Sequence, residues 1–434
     1  MRVLLATDRV GALPAREVAA ALAQGWGVER PDDDVRELPL SDGSAGLLDV
    51  LPTAGREVVV VPGPLGDDIP AGLARTGSTW WIDADDVLGA RLVGGRVAES
   101  LERGSSAGLG VLLRHAAAAG AGRVVVGLGP AGVHDAGSGL VHELGVPGPD
   151  EDGHCTIGGR GLDADGAAGA GPDSPTGPVP GDASAIDDLA ERVRRAADRL
   201  AGLDVVLALG VDEPLTGLHG TGAQLAERHG LDPVAAQDLD GRTGRAAEQI
   251  LRAAADLPRR TSLPLAGPPD ASGAAAAHAG HAHAAPAADA RLTTRTDGGG
   301  AGGGAGLALL ALGARAFEGA DVVADELGLA DALDELEGVG LVVTSASEVG
   351  PDEARRSVLA TVGRAAAARA LPVVAVGRTV SSSRRELAPT GVSATAALVP
   401  GRHPDEAPAA DDPVALRRAL VDRGARLART WSRP

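Results

Sequence analysis

The sequence is short of several residue types on which particular functions depend. Its 434 residues include one cysteine and one phenylalanine, and lysine, asparagine and tyrosine do not occur. The single cysteine, Cys155, excludes an internal disulfide framework and a thiolate metal site, and we expect an incidental thiol in a loop. Without lysine every basic side chain is an arginine, which can hold a phosphate with two hydrogen bonds but cannot act as a base.

Positive charge is also scarce. The acidic residues number 59 against 40 basic ones, so the net charge is −19, and we expect no binding to nucleic acid, whose phosphates require a basic surface. No segment approaches the ~20 consecutive apolar residues of a membrane-spanning helix. The N-terminus, MRVLLATD, lacks the pattern of a secretory signal. The sequence therefore predicts a cytoplasmic protein that does not enter a membrane.

The most informative stretch is residues 123–139, RVVVGLGPAGVHDAGSG. A run of valines, 124–126, passes into a turn with five glycines that also holds His134 and Asp135. This pattern predicts a buried strand that ends in a glycine-rich loop. Glycines let the backbone approach a ligand and point its N–H groups at an anion, as in phosphate-binding loops. A tight turn without a ligand is the alternative that this stretch leaves open.

Strands and helices alternate at both ends of the chain, which predicts a parallel sheet covered by helices with ligands at the carboxyl ends of the strands. The residues between the two ends show a different pattern, so we expect one domain that is interrupted by an inserted second domain. The predicted strands are 2–6, 35–38, 58–61, 341–344 and 373–376, and the predicted helices are 14–25, 352–370 and 413–431.

Two segments lack any periodicity. Residues 147–180 and 259–290 are rich in Gly, Pro and Ala, and we expect both to be mobile at the surface. The second contains three histidines that could hold a metal ion, but no carboxylate or cysteine accompanies them, so a solvated linker is the better interpretation. These histidines are His278, His281 and His283.

A second glycine-rich segment, 298–306, leads directly into the apolar run 307–312. Glycine N–H groups at the start of a helix can form an anion site. The segment matches neither the phosphate-loop pattern of nucleoside triphosphatases nor the dinucleotide fingerprint, so it is a weak signal by itself.

Five glycine-containing turns follow one another along the chain. They are ATDRVG at 6–11, SDGSAG at 41–46, GLGPAGVHDAGSG at 127–139, VDEPLTGLHG at 211–220 and GGGAGGGAGLALLALGA at 298–314. Their order resembles that of the bacterial glycerate kinase family, and the resemblance extends over almost the whole length of the chain.

The chain also departs from the family pattern at charged positions. The lysine of the first turn has no counterpart, the glutamate of the second turn is Ala45, and the asparagine before the loop aspartate is His134. After the strand 341–344 the chain reads SASEVG, and the family's lysine position there falls at about Ser357.

The resemblance implies ATP-dependent phosphorylation of D-glycerate to phosphoglycerate, with Mg²⁺, at an active site between two α/β domains. One domain is expected to be flavodoxin-like and discontinuous, built from residues 1–76 and 307–434. The other is an inserted α/β domain, residues 77–306.

Roles for individual residues follow from the matched turns. Asp135 and Asp212, each after a strand, are candidates for general base or Mg²⁺ ligand, with a capping residue in a turn as the alternative for either. We expect glycerate to be held by Asp8, Arg9, Asp42 and Arg378, with Arg295 less favoured, and a surface position without a ligand is the alternative for the arginines. The resemblance implies that phosphates are held by Gly127, Gly129, Gly132, Gly300, Gly302, Gly303 and Gly304.

A second hypothesis is a catalytically silent relative that binds a small acid or nucleotide as a sensor or partner. Glycines are needed to build the fold whereas catalytic side chains are not, so a chain that lost activity would keep the former. In either case the expected partner is glycerate or a similar hydroxy acid, and a homodimer is left open.

Overall fold

The computed structural model of the protein describes residues 1–52, 55–146, 183–257, 291–336, 340–351, 356–399 and 407–432. The predictions for segments 147–180 and 259–290, for Cys155, and for His278, His281 and His283 lie outside these residues.

Contacts between Cα atoms divide the chain into two compact units. The first unit comprises Met1–Gly55, Ala208–Val211 and Phe317–Pro434, and the second comprises Arg56–Leu207 and Asp212–Ala316. Both ends of the chain therefore belong to the first unit. The domain limits expected from the sequence, 76/77 and 306/307, stay predictions.

The first unit contains a five-stranded parallel sheet. With strands numbered along the whole chain, its members are β1 (Arg2–Thr7), β2 (Asp34–Pro39), β9 (Leu341–Val349), β10 (Val373–Val380) and β11 (Ala394–Ala397). Their order is β2-β1-β9-β10-β11, and each neighbouring pair is parallel. Numbered within the unit this is 2-1-3-4-5, the flavodoxin-like order, so the predicted fold class is confirmed.

Helices α1 (Ala15–Glu29) and α16 (Pro413–Trp431) bring the two ends of the chain together on this sheet. A Cβ atom on Gly25 would lie 1.9 Å from the carbonyl oxygen of Val421, so the two backbones touch there. Trp26, 1 % exposed, packs in the same core. The other helices of this unit are α2 (Leu47–Val50), α12 (Gly319–Glu326), α13 (Leu329–Asp334), α14 (Val358–Ala367) and α15 (Arg384–Leu387).

A six-stranded sheet belongs mainly to the second unit. Its strands lie in chain order: β3 (Glu57–Pro62), β4 (Asp68–Thr76), β5 (Thr79–Asp83), β6 (Arg123–Leu128), β7 (Asp204–Leu209) and β8 (Arg315–Glu318). β4 is antiparallel to both of its neighbours, β3 and β5, and β5 is parallel to β6. The predicted strand at 58–61 is thus a strand, but its expected place in a parallel sheet is wrong. The connections 63–67 and 77–78 are too short for the crossover that parallel strands need.

The helices of the second unit are α3 (Asp85–Leu88), α4 (Ala90–Val93), α5 (Val97–Arg103), α6 (Ala107–Ala118), α7 (Ser138–Gly145), α8 (Ala183–Arg199), α9 (Thr221–His229), α10 (Pro233–Ala253) and α11 (Ala305–Ala311). Among the helices of the described ranges, none combines the length and apolar character that crossing a bilayer requires.

Candidate active site

In the first unit, the strand order reverses between β1 and β9. Ligands of open α/β sheets bind outside the carboxyl ends of the strands at such a point. Here the turn after β1 is held by two serines of β9. The N–H of Asp8 donates to Ser345 Oγ (3.0 Å), whose hydroxyl donates to the Asp8 carbonyl (2.7 Å), and the N–H of Gly11 donates to Ser347 Oγ (2.9 Å).

From the sequence alone, these two serines belong to a segment that departs from the family pattern, and no contact with the turn after β1 is predicted for them. Residues 345 and 347 are two apart on a strand, so their side chains lie on the same face. That spacing is the signal that could have assigned them to the turn after β1.

The turn after β2 carries Asp42. Its Oδ1 accepts a hydrogen bond from the N–H of Ser44 (2.8 Å), while the N–H of Gly43 donates to Ser41 Oγ (3.1 Å). Burial raises the pKa of the Asp42 carboxyl above its ordinary value, although the hydrogen bonds from Ser44 and the charge of Arg9 oppose the rise. A carboxylate that holds its proton more tightly than usual is suited to proton transfer.

Two arginines reach the same edge of the sheet. The Arg9 guanidinium is exposed and donates to the carbonyl oxygens of Gly11 (3.2 Å) and Ala45 (3.4 Å), which links the turns after β1 and β2. Arg378 lies on β10 beside Ser347, because its neighbours in sequence pair with residues 346 and 348. The structure thus brings Asp8, Arg9, Asp42 and Arg378 to the carboxyl edge of one sheet.

A cluster of ion pairs in the first unit was not predicted. Glu318, with its side chain 11 % exposed, lies 3.5 Å from both Arg356 and Arg364, and Arg364 also lies 3.1 Å from Asp321. Ser357, at the family's lysine position, accepts a hydrogen bond from the first turn of α14 (3.1 Å). That position therefore caps a helix here, and the charge beside it comes from residues far apart in sequence.

In the second unit, Asp135 is the centre of the loop 127–139. Its Oδ1 accepts from the N–H of Gly137 (2.9 Å), and its Oδ2 accepts from the N–H and Oγ of Ser106 (2.8 and 2.9 Å) and from the N–H of Gly139 (3.0 Å). A carboxylate offers about four acceptor positions, two on each oxygen, so Oδ2 is fully used by the loop whereas Oδ1 accepts one bond. The carboxylate organises the loop and the start of α7, and its role as base or Mg²⁺ ligand stays a prediction.

The two glycine-rich segments pack directly against each other. The N–H of Gly302 donates to the carbonyl of Gly129 (2.9 Å). Gly302, Gly303 and Gly304 have φ angles of 63°, 67° and 103°, and a Cβ atom on Gly303 would lie 2.0 Å from the carbonyl oxygen of Val133. Both the backbone conformation and the close approach exclude any side chain at this contact.

Several of the N–H groups predicted to hold phosphate donate within the protein instead. Gly132 donates to the Leu88 carbonyl (2.7 Å), Gly300 to the Glu213 carbonyl (2.9 Å) and Gly304 to the Gly300 carbonyl (3.2 Å). Phosphate binding by these glycines stays a prediction that would require other donors of the same loops. Of the remaining candidates, Gly127 lies in β6, and Gly129 and Gly303 supply carbonyls to the contact between the loops.

Asp212 begins the part of the second unit that follows β7. It is exposed, and its carbonyl accepts a hydrogen bond from the N–H of Gly298 (2.8 Å). This bond ties the turn at 211–217 to the second glycine-rich segment. Asp135, Asp212 and the glycine candidates therefore share the second unit, whereas the four substrate-binding candidates lie in the first.

The model of a family described as the glycerate kinase family matches residues 3–431. The chain belongs to the glycerate kinase family. It is 26 % identical over 412 residues to a glycerate kinase of Bacillus subtilis, covering 94 % of this chain and 92 % of that protein. A glycerate 2-kinase of Escherichia coli is 26 % identical over 58 % of this chain and 62 % of its own length. The family is one of kinases, which transfer a phosphoryl group.

Two further similarities cover nearly the whole chain. An uncharacterised protein of Mycobacterium bovis is 29 % identical over 92 % of this chain and 84 % of its own. The crystal structure of a putative glycerate kinase 2 from Salmonella typhimurium aligns with a TM-score of 0.63 and 23 % identity, covering 99 % of this chain and 98 % of that one. The structural similarity supports the two-domain α/β fold.

His134 occupies the position where the glycerate kinase pattern has asparagine. The side chain is 5 % exposed, and both ring nitrogens are buried without a hydrogen-bond partner in the described protein. Burial lowers the pKa of His134 to about 4, and the nearby charge of Arg242 acts in the same direction. The imidazole is therefore neutral at pH 7, with one ring nitrogen as a hydrogen-bond donor and the other as an acceptor.

Proposed function

We propose that this protein catalyses the ATP-dependent phosphorylation of D-glycerate to phosphoglycerate. The observation that carries the proposal is the family match over residues 3–431. The gathering of two arginines and two aspartates at the carboxyl edge of the first unit supports it, because ligands of this fold bind at that edge.

Glycerate carries a carboxylate and two hydroxyl groups, and the edge offers groups for both. The guanidinium groups of Arg9 and Arg378 would hold the carboxylate with charge-assisted hydrogen bonds. Asp42 would accept a hydrogen bond from a hydroxyl group, and its raised pKa suits it to take the proton as the oxygen attacks phosphorus.

ATP and Mg²⁺ belong to the proposal through the family. When bound, Mg²⁺ would neutralise charge on the phosphates, which is the main task in phosphoryl transfer. Asp212 is the better placed of the two predicted ligands because it is exposed. Asp135 would bind a metal ion through Oδ1, which accepts one hydrogen bond, because Oδ2 already accepts three.

The test is turnover by purified protein with Mg-ATP and D-glycerate, measured as ADP and phosphoglycerate. Wild type should form both products, and Asp42→Asn should lose at least about a hundredfold in kcat if the carboxylate takes the proton. Arg9→Ala and Arg378→Ala test the binding of glycerate. Their matched control is Arg417→Ala, at an exposed arginine of α16 that donates a hydrogen bond to Gln24, and this control should keep full activity.

Two outcomes would contradict the proposal. Binding of ATP or glycerate by calorimetry without turnover would favour the silent relative. Absence of binding to either ligand would remove both hypotheses.

A further inference from the structure

Two polar side chains of the second unit border the same small space. As noted, neither ring nitrogen of His134 has a partner within the described protein, and the same holds for the buried Oδ1 of Asp240 on α10. A Cβ atom on Gly222, the second residue of α9, would lie 2.3 Å from Asp240 Oδ1 and 3.7 Å from His134 Nε2. Both atoms therefore lie beside the same position, which a side chain at residue 222 would occupy.

One water molecule suits the chemistry of these two atoms. Asp240 Oδ1 and His134 Nε2 are at most about 6 Å apart, because both lie near the same point, and a water molecule with hydrogen bonds of about 2.8 Å to each links atoms up to about 5.6 Å apart. Buried polar atoms in proteins are almost always paired, and internal water supplies many of the partners. Water can donate to a carboxylate and either donate to or accept from a neutral imidazole. A metal ion suits the space less, because the described residues contain no cluster of three metal-ligating side chains.

The helix that carries Asp240 also contacts both turns with predicted catalytic aspartates. Asp240 Oδ2 accepts a hydrogen bond from the N–H of Gly217 (3.0 Å), in the turn that follows Asp212. Thr243, one turn further along α10, donates to the Leu239 carbonyl (2.8 Å) and approaches the His134 carbonyl at 3.4 Å, next to Asp135. Helix α10 is thus the common support of the 211–217 turn and the 127–139 loop.

We propose that one internal water molecule bridges His134 Nε2 and Asp240 Oδ1 beside Gly222, and that this bridge positions the Asp135 loop relative to the Asp212 turn. His134, Asp240 and Gly222 are then positioning residues. The effect on turnover rests on the proposed kinase function, whereas the bridge itself is a property of the second unit alone.

The first test removes the room for the water molecule. A methyl group in Gly222→Ala would lie 2.3 Å from the present position of Asp240 Oδ1, so the carboxylate must shift and the bridge is broken, although neither polar side chain is replaced. The matched control is Gly241→Ala, also at a helical glycine, where only the end of the flexible Arg245 side chain lies nearby, at 3.4 Å. Amide hydrogen exchange in 127–139 and 211–217 should become about tenfold faster in Gly222→Ala and stay unchanged in the control. Unchanged exchange in both variants would overturn the positioning role.

A crystal structure of the wild-type protein tests the bridge directly. An ordered water molecule within about 3.2 Å of both atoms is expected. A direct hydrogen bond between His134 and Asp240, or an ion in place of the water, would overturn it.

Kinase assays give the third readout. Gly222→Ala should lower kcat about tenfold, equivalent to about 1.4 kcal/mol, and leave KM unchanged. His134→Gln, which can still form hydrogen bonds, should keep more activity than His134→Ala; equal losses would count against the bridge. If wild type shows no turnover, the proposed function fails, and the exchange and crystallographic results still decide on the bridge.

Discussion

Replacing His134 by glutamine should make the protein less sensitive to mild acid. The glutamine amide can still form hydrogen bonds, but it does not titrate as the imidazole does. In the unfolded chain the imidazole takes up a proton near pH 6.5, whereas in the folded protein burial lowers its pKa to about 4. Between pH 6.5 and 4 the imidazole is therefore protonated in the unfolded state but neutral in the folded state, so the wild-type protein loses stability as the pH falls.

The size of the loss follows from the two pKa values. Above about pH 7, His134 does not affect how the free energy of unfolding depends on pH. As the pH falls from 6.5 to 4, the loss of stability caused by His134 grows, and it reaches a limit of about 3 kcal/mol below pH 4. At pH 5 the loss is about 2 kcal/mol. Since a folded protein is stable by only about 5–15 kcal/mol, such a loss is measurable.

Urea unfolding followed by circular dichroism at pH 5, 7 and 8 is the assay. Between pH 7 and 5, the free energy of unfolding of the wild type should fall by about 2 kcal/mol more than that of His134→Gln. Between pH 7 and 8 the two proteins should change alike, because the imidazole is neutral in both states. The reasoning would be refuted if the two proteins lost the same stability on acidification, or if NMR showed the ring titrating near pH 6.5.

Three further predictions concern the glycine contact and the edge of the first sheet. Gly303→Ala should lower the free energy of unfolding by at least about 3 kcal/mol, whereas Gly66→Ala, with a φ of 87° but open space around it, should lower it by only about 1 kcal/mol; equal losses in denaturant melts would contradict the close contact. Arg9→Ala and Arg378→Ala should each raise KM for glycerate by about 10–100-fold with KM for ATP unchanged, since each removes a charge-assisted hydrogen bond. Asp42→Asn should be more stable than wild type at pH 7 and lose that advantage as the pH falls, because burial raises the pKa of Asp42 and the folded state disfavours the ionised form. Denaturant melts in which the variant is less stable than wild type at pH 7 would contradict the raised pKa.

The alternation of strands and helices was enough to predict the sheet of the first unit. β1, β9 and β10 are short apolar runs that each precede a helix, and the helix predicted at 413–431 has the observed bounds. The antiparallel ribbon was missed because β4 contains Pro70 and Gly72 and shows no apolar run. The valines of β3 resemble a buried strand, yet Val58 is 72 % and Val60 63 % exposed, because alternate side chains of this strand point away from the core.

The candidate site was predicted less completely than the fold. Glycine spacing located both loops but could not show that they contact each other, because more than 150 residues separate them in sequence. The sequence left Asp135 open between a chemical role and a capping role in a turn. Its hydrogen bonds organise the loop, and the chemical role stays a prediction. Asp240 was not predicted because it is one of two aspartates within a largely polar helix, and only the fold brings it to His134.

The contact between the glycine-rich segments has a consequence for mutational experiments. Any missense change in a glycine codon introduces a side chain, and at Gly302, Gly303 and Gly304 a side chain meets both an unfavourable φ angle and a neighbouring atom closer than 3 Å. A scan of single substitutions scored only on protein abundance should therefore give nearly the same pattern of intolerance at these codons as a scan scored on growth that requires the kinase. Positions that differ between the two scans, among which we expect Arg9 and Arg378, would be the ones retained for chemistry.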